Sequence, residues 1–173
     1  MRAREFWRTV TVDEANVLDR LIDLLRTANV PFCVIGGQAV NAYAEPVVSL
    51  DLDIAIAAGH AERLAGLLTR SFRVERFTHS LNVSDARSDL RVQIQLDPRY
   101  EDFVARSAPR LVLGVELPVA AISDVLQGKV WAAQDPERRG SKRQKDLADI
   151  SRLIEAHPEM RASVPADILE RLL

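Results

Sequence analysis

Cysteine is nearly absent from this chain: Cys33 stands alone among 173 residues. One thiol closes no internal disulfide and builds no cysteine-based metal site. Its place in the apolar run PFCVI reads as a small core residue rather than a nucleophile. Histidine is also scarce. His60, His79 and His157 share no ligand spacing and read as surface or loop residues. Aromatic residues make up 5% of the chain, and Trp7 and Trp131 read as packing rather than as platforms for stacked bases. Neither sign of charge dominates. A formal net charge of -2 excludes a chain that coats nucleic acid over its whole surface, and it leaves room for a local basic site. No apolar run reaches the roughly 18 residues that a membrane-spanning helix needs. The opening MRAREFWRTV is charged and has no apolar centre, unlike a signal peptide. Internal repeats, low-complexity tracts and a nucleophile-elbow serine are missing too. These absences lead to an expected setting in a reducing cytoplasm, away from membranes.

What is present suffices for one core: 47% of residues are hydrophobic and 28% charged. Thr11 and Glu14 have capping-box spacing, and Val17, Leu18, Leu21, Leu24 and Leu25 recur with helical period, which predicts a helix over 12–28. A short buried strand, PFCVI, follows. Gly36-Gly37 breaks it, and a short helix over 38–44 closes before Pro46. VVSLDLDIAIA predicts the next strand, and 60–70 a helix. Segments 72–77, 81–83 and 90–96 predict an antiparallel meander; in the last, Leu90, Val92, Ile94 and Leu96 alternate with Arg91, Gln93 and Gln95. A short helix over 100–106 and one strand over 111–119 come next, then helices over 121–133, 142–156 and 166–173. The expected class is α+β (α/β): a mixed sheet with flanking helices forms a core over 1–120. A helical C-terminal portion over 121–173 packs on the same domain.

The pattern that carries chemistry lies in the second strand. Asp51 and Asp53 are two residues apart, so on a strand they share one face with Cα atoms roughly 6–7 Å apart. Leu50, Leu52 and Ile54 take the other face. Carboxylates held that close must share a proton or a cation, and a hard divalent cation accepts such oxygens together with substrate phosphates. The plainer reading pairs one Asp with an Arg and leaves the other to solvent. Gly36-Gly37 ends a strand and opens a helix, a turn whose amides and helix terminus suit a phosphate. Further on, Lys129, Arg138, Arg139, Lys142, Arg143 and Lys145 concentrate positive charge. Lys129 and Lys145, on amphipathic helices, are the better candidates for contact with a triphosphate or an acceptor; Arg138, Arg139 and Arg143 read as a solvated loop and helix face. Lys145 and Asp149 also have the i,i+4 spacing of a plain surface ion pair.

GGQAVNAYAEPVVSLDLDIAI resembles the signature of the nucleotidyltransferase superfamily, whose fold is that of the DNA polymerase β palm. The late Lys145, Asp146 and Asp149 match a Lys-Asp-x-x-Asp pattern of its AbiEii-like and minimal branches. The resemblance implies that Asp51 and Asp53 hold Mg²⁺ or Mn²⁺ and are the catalytic pair. Gly36, Gly37 and Ser49 would contact the phosphates of an NTP. An acceptor hydroxyl would attack the α-phosphorus, and pyrophosphate would leave. Acceptors in this family include RNA, proteins and small molecules such as antibiotics. The AbiEii-like branch also implies toxin–antitoxin or phage-defence biology, with a cognate antitoxin or other partner protein.

One departure divides the readings. The superfamily places a third carboxylate on a later strand, and here Gln93 stands at that position, with Gln95 next on the same face. An amide offers an oxygen but takes no proton. Asp97, near the strand end, is the candidate substitute metal ligand, and Asp89 a weaker one. A working transferase is the first expectation. A catalytically degenerate nucleotide-binding or interaction module is the second, and an antitoxin-like interaction protein with an incidental Asp pair is the third. The face of the 90–97 strand discriminates among them.

Overall fold

Residues 16–172 are described by a computed structural model. The Thr11–Glu14 capping box and Trp7 lie outside them. Helix α1 (Val17–Thr27) buries Val17, Leu18, Leu21 and Leu25 of the stripe that the sequence periodicity marks; Ile22 joins them, while Leu24 is only half-buried. Strand β1 (Phe32–Ile35) is buried at every position, as expected for a strand covered on both faces. Helix α2 (Gly36–Tyr43) begins at the first glycine.

Strand β2 (Asp51–Ile56) is shorter than the sequence pattern suggests. Residues 47–50 form a loop, with Val47 and Val48 54% and 59% exposed. Asn41 captures Val47 on both sides of its backbone: Nδ2 donates to the Val47 carbonyl at 2.8 Å, and Oδ1 accepts from its amide at 3.0 Å. Those groups are then lost to a ladder. Helix α3 (Ala61–Leu68) follows a 3₁₀ turn (Ala58–His60). Strands β3 (Arg73–Arg76), β4 (Ser80–Ser84) and β5 (Arg91–Gln95) form the expected antiparallel meander.

A 3₁₀ turn (Pro98–Tyr100) leads into helix α4 (Glu101–Ala105). The next segment is a hairpin, β6 (Ala108–Val112) and β7 (Val115–Val119), rather than one strand. Leu113 (φ 51°) and Gly114 (φ 77°) both take the left-handed region that a tight hairpin turn requires. Leucine there masks the turn from a reader of the sequence. Helices α5 (Ile122–Gln134), α6 (Gly140–Ala156) and the short α7 (Ala166–Leu169) complete the described chain.

The seven strands make one mixed sheet in the order β3-β4-β5-β2-β1-β7-β6. β2 is central, antiparallel to β1 and parallel to β5. Leu52, Ile54 and Ile56 are fully buried, as are Val34, Leu81 and Ile94 on neighbouring strands. Asp51 and Asp53 are only half-buried, so the alternation of β2 separates core from site. Helices α5 and α6 pack on each other and on α2, which in turn rests on β2. No described helix is long and apolar enough to cross a membrane.

Candidate active site

Three elements meet at Asp53. The register pairs Ile35 with Asp53 across β1 and β2, so the turn that follows Ile35 lands on the Asp53 carboxylate. That turn is Gly36, at φ 67°. A Cβ built there would lie 2.3 Å from Asp53 Oδ2, so the position admits only glycine. Gly37, one residue on, has its nearest neighbour at 4.0 Å, an oxygen of Asp149. The third element is α5, which brings in Lys129.

Lys129 is 8% exposed, and its ammonium lies 3.1 Å from Asp146 Oδ1 and 2.8 Å from Asp149 Oδ2. Burial alone would depress its pKa. Asp149 and Asp146, with Asp53 beyond them, outweigh that and raise it above the ordinary lysine value. Each partner carboxylate has a second cation. Arg138 reaches Asp146 at 2.8 Å, and Arg152 reaches Asp149 at 2.8 Å. Arg152 also donates to Asn41 Oδ1 and to the Glu45 carbonyl, both at 2.6 Å. Asn41 holds the loop before β2, and Gln38 donates to the Ser49 carbonyl at 3.1 Å. Ser49 Oγ in turn accepts from the Asp51 amide at 3.2 Å. A continuous polar chain therefore runs from Lys129 through α6 and α2 to the first residue of β2.

Asp53 is the electrostatic centre. Burial raises its carboxyl above the usual range; Lys129, Arg138 and Lys145 act against the rise, and Asp51 adds to it. Asp51 is more open, with Arg91 Nε 2.9 Å from its Oδ1. Both carboxylates face a cleft of about 570 Å³, whose wall also includes Gly37, Ser49, Gln93, Lys129, Lys142 and Lys145. A smaller recess of about 100 Å³ also reaches Asp53 and Gln93, with Gly36, Gln95 and Tyr100 in its wall.

Among the described residues no three His, Cys, Asp or Glu side chains converge as a ligand group. The donor set is two mutually repelling, half-buried carboxylates on one strand face. Such a pair fits a hard divalent cation whose remaining ligands are waters and substrate oxygens.

The structure brings Asp51, Asp53, Gly37, Ser49, Gln93, Lys129 and Lys145 together around the cleft, with Gly36 directly beneath Asp53. It does not bring Asp97. Its carboxylate accepts from the Arg99 amide at 3.0 Å and pairs with Arg99 Nη2 at 2.9 Å, outside the cleft wall. Arg99 holds it below the usual carboxylate range against an opposing effect of burial. Gln95 turns its Oε1 back onto the Leu96 and Asp97 amides, both at 3.1 Å. Asp89 is exposed in the loop before β5.

Arg138 and Asp149 also depart from the sequence reading. Arg138 is not a solvated loop residue, because its guanidinium grips Asp146 and lines the cleft. Asp149 pairs with Lys129 and Arg152 rather than with Lys145. The roles of Gln38, Asn41 and Arg152 leave no signal in the sequence beyond helical spacing. Cys33 is buried, its thiol pushed up to about 12 mainly by burial, with Asp124 adding to it. Trp131 stacks on Phe103 with ring centroids 5.8 Å apart.

Sequence and fold comparisons agree with this fold. A family described as "Nucleotidyl transferase AbiEii toxin, Type IV TA system" matches residues 38–173. No curated protein matches the chain. Among solved structures, ANT(2'')-Ia in complex with adenylyl-2''-tobramycin superposes with a TM-score of 0.60 at 14% identity, covering 91% of this chain and 97% of that one. The lincosamide antibiotic adenylyltransferase LnuA, lincomycin-bound, gives 0.55 at 13% identity, covering 83% and 99%. An antigenic nucleotidyltransferase-like protein from Paracoccidioides brasiliensis gives 0.54 at 16% identity, covering 84% and 78%. At these identities the likeness is one of fold.

The two glycines should separate sharply on substitution. Gly36→Ala combines a left-handed backbone, costing about 1–2 kcal/mol, with a collision at Asp53. It is expected to lower the thermal midpoint well below that of Gly37→Ala, which meets only ordinary contacts; equal midpoints in the two variants would contradict the packing described. Lys129→Met leaves two buried aspartates short of a cation, and chemical denaturation should register a loss of about 3–5 kcal/mol.

Proposed function

The chain belongs to the AbiEii nucleotidyl transferase family, and from that premise we propose that it moves a nucleoside monophosphate from an NTP to an acceptor hydroxyl, using Mg²⁺ or Mn²⁺ held by Asp51 and Asp53. The observation that carries this reading is the Asp51–Asp53 pair at the cleft, backed by Gly36 and Lys129.

Asp51 and Asp53 would hold the cation, whose contribution when bound is to neutralise phosphate charge and polarise the α-phosphorus. Gly37, at the start of α2, presents backbone and a helix terminus without steric bulk. Ser49, Lys142 and Lys145 line the same wall and supply donors and positive charge for a triphosphate. Lys129 is already committed to two aspartates, so its role is to hold the site's shape and potential rather than to grip a phosphate alone. Gln93, the register partner of Asp53, can accept a hydrogen bond from the acceptor hydroxyl through its amide oxygen. The acceptor oxygen forms a bond to the α-phosphorus, and the bond to the bridging oxygen breaks with pyrophosphate leaving. Positioning and charge carry such a reaction.

RNA, protein and small-molecule acceptors all fit an open polar cleft. The family description supports a toxin role opposed by an antitoxin, and the expected setting is the cytoplasm. One observation favours a second reading, a nucleotide-binding module without transfer: β5 offers Arg91, Gln93 and Gln95 on its polar face and no carboxylate.

Label transfer decides between them. With α-labelled ATP, CTP, GTP and UTP, either cation, and bulk RNA or cell lysate, the wild type is expected to label an acceptor. Asp51→Ala/Asp53→Ala should lose at least about 10²-fold of the rate. No label on any acceptor, with Mg²⁺-nucleotide still bound, would favour the module.

A second outcome concerns pH. Asp53 has its carboxyl raised in the folded state. Its contribution to stability is therefore present at low pH and lost as pH rises through the folded value. A cation replaces that proton, so the gain in Tm from Mg²⁺ should grow as pH rises out of the carboxylate range. Asp53→Asn should show no such growth; an equal gain in that variant would place the cation elsewhere.

A further inference from the structure

We propose that Glu75, on the edge strand β3, is the carboxylate that takes the proton from the acceptor hydroxyl, a role that rests on the transfer reading above. Sheet register sets the arrangement. Asp53 pairs with Gln93, Gln93 with Asn82, and Asn82 with Glu75. Residues directly opposite in a sheet share a face, so these four side chains form one polar row across four strands. All four line the same cleft.

Elimination singles out Glu75. The carboxylates in the cleft wall are Asp51, Asp53, Glu75 and Asp146. Asp146 is saturated by Lys129 and Arg138, and Asp51 is paired with Arg91. Asp51 and Asp53 are also assigned to the cation. Beyond its backbone pairing with β4, the Glu75 side chain forms no hydrogen bond or ion pair with another described residue. Between Glu75 and Gln93 stands Asn82, whose Oδ1 is buried without a hydrogen-bond partner among the described residues.

Geometry and reaction direction agree. Three strand spacings of about 4.8 Å set Glu75 and Asp53 roughly 14 Å apart between Cα atoms. That is too far to share a cation, and it leaves room for an α-phosphate and an acceptor oxygen between them. The triphosphate groups named above lie toward β1, α2 and α6, so in-line attack brings the acceptor from the β5-β4-β3 side. The step balances simply. The acceptor O–H proton passes to the Glu75 carboxylate as its oxygen bonds to the α-phosphorus, and the electron pair of the broken P–O bond leaves with pyrophosphate. Glu75 then returns its proton to water. Gln93 orients the hydroxyl, which its amide cannot deprotonate. The superfamily's third carboxylate is thus moved two strands outward in this chain.

The test is label transfer from an α-labelled NTP to bulk RNA or lysate, in wild type, Glu75→Gln, and Glu75→Gln/Gln93→Glu, with nucleotide KM and pH–rate profiles measured in parallel. Glu75→Gln is expected to lower kcat by about 10²–10⁴-fold, the range for a general base, with KM for the nucleotide held within about twofold. Its profile should lose the acid limb. Gln93→Glu in that background should restore at least about tenfold, because it returns a carboxylate to the row. Glu75 is exposed on an edge strand, so the thermal midpoint of Glu75→Gln should match wild type. A kcat within about threefold of wild type, a change confined to KM, or an acid limb that persists would overturn the assignment. A wild type that labels nothing would overturn the transfer reading and this assignment together; an active wild type with an indifferent Glu75→Gln overturns the assignment alone.

Discussion

A buried ammonium is intolerable unless carboxylates surround it, and Lys129 imposes that demand on the whole C-terminal half of the site. Its partners, Asp146 and Asp149, sit one helical turn apart on α6 and must be held at the right depth. Arg138 and Arg152 grip them from outside. Arg152 then ties α6 to Asn41 and to the loop that delivers β2. The charge of one lysine thus fixes where α5 and α6 sit relative to the strand carrying Asp51 and Asp53. Burying any one member without the others would cost several kcal/mol, which gives the cluster its all-or-none character.

The opposite wall is set by sterics rather than charge. β1 is apolar throughout and ends at Ile35, opposite Asp53. The chain must then turn past a carboxylate with no space for a side chain, and Gly36 does this in a left-handed conformation. Asp53 is consequently confined between a glycine backbone and a lysine cluster, and its raised carboxyl is the electrostatic signature of that confinement. A cation held there, as proposed, would relieve this strain in charge.

Much of this was legible from residue patterns. The alternation of Leu52, Ile54 and Ile56 against Asp51 and Asp53, the Gly36-Gly37 turn, the β3-β4-β5 meander and the late helices all follow from period and from glycine chemistry. The hairpin over 108–119 was not, because Leu113 occupies a position that usually advertises itself with Asn or Gly. The start of β2 was overextended, because Asn41 captures the Val47 backbone from an element distant in pattern though near in sequence. The partners of Arg138 and Arg152 were not legible, because a pairing choice among many charged residues is settled only in three dimensions. Asp97 looked suitable by alternation alone, yet Arg99, two residues away, claims it. Glu75 had no motif to mark it, and only sheet register places it in the row of Asp53.

The proposed function rests on Asp51 and Asp53 forming one cation–nucleotide site at the edge of β2. Electron paramagnetic resonance of Mn²⁺ with non-hydrolysable analogues of the four NTPs addresses it most directly. Wild-type protein is expected to withdraw the free Mn²⁺ signal when the preferred analogue is present, and Asp51→Asn/Asp53→Asn, still folded, is not. A double variant that binds Mn²⁺ and nucleotide as tightly as wild type would contradict it.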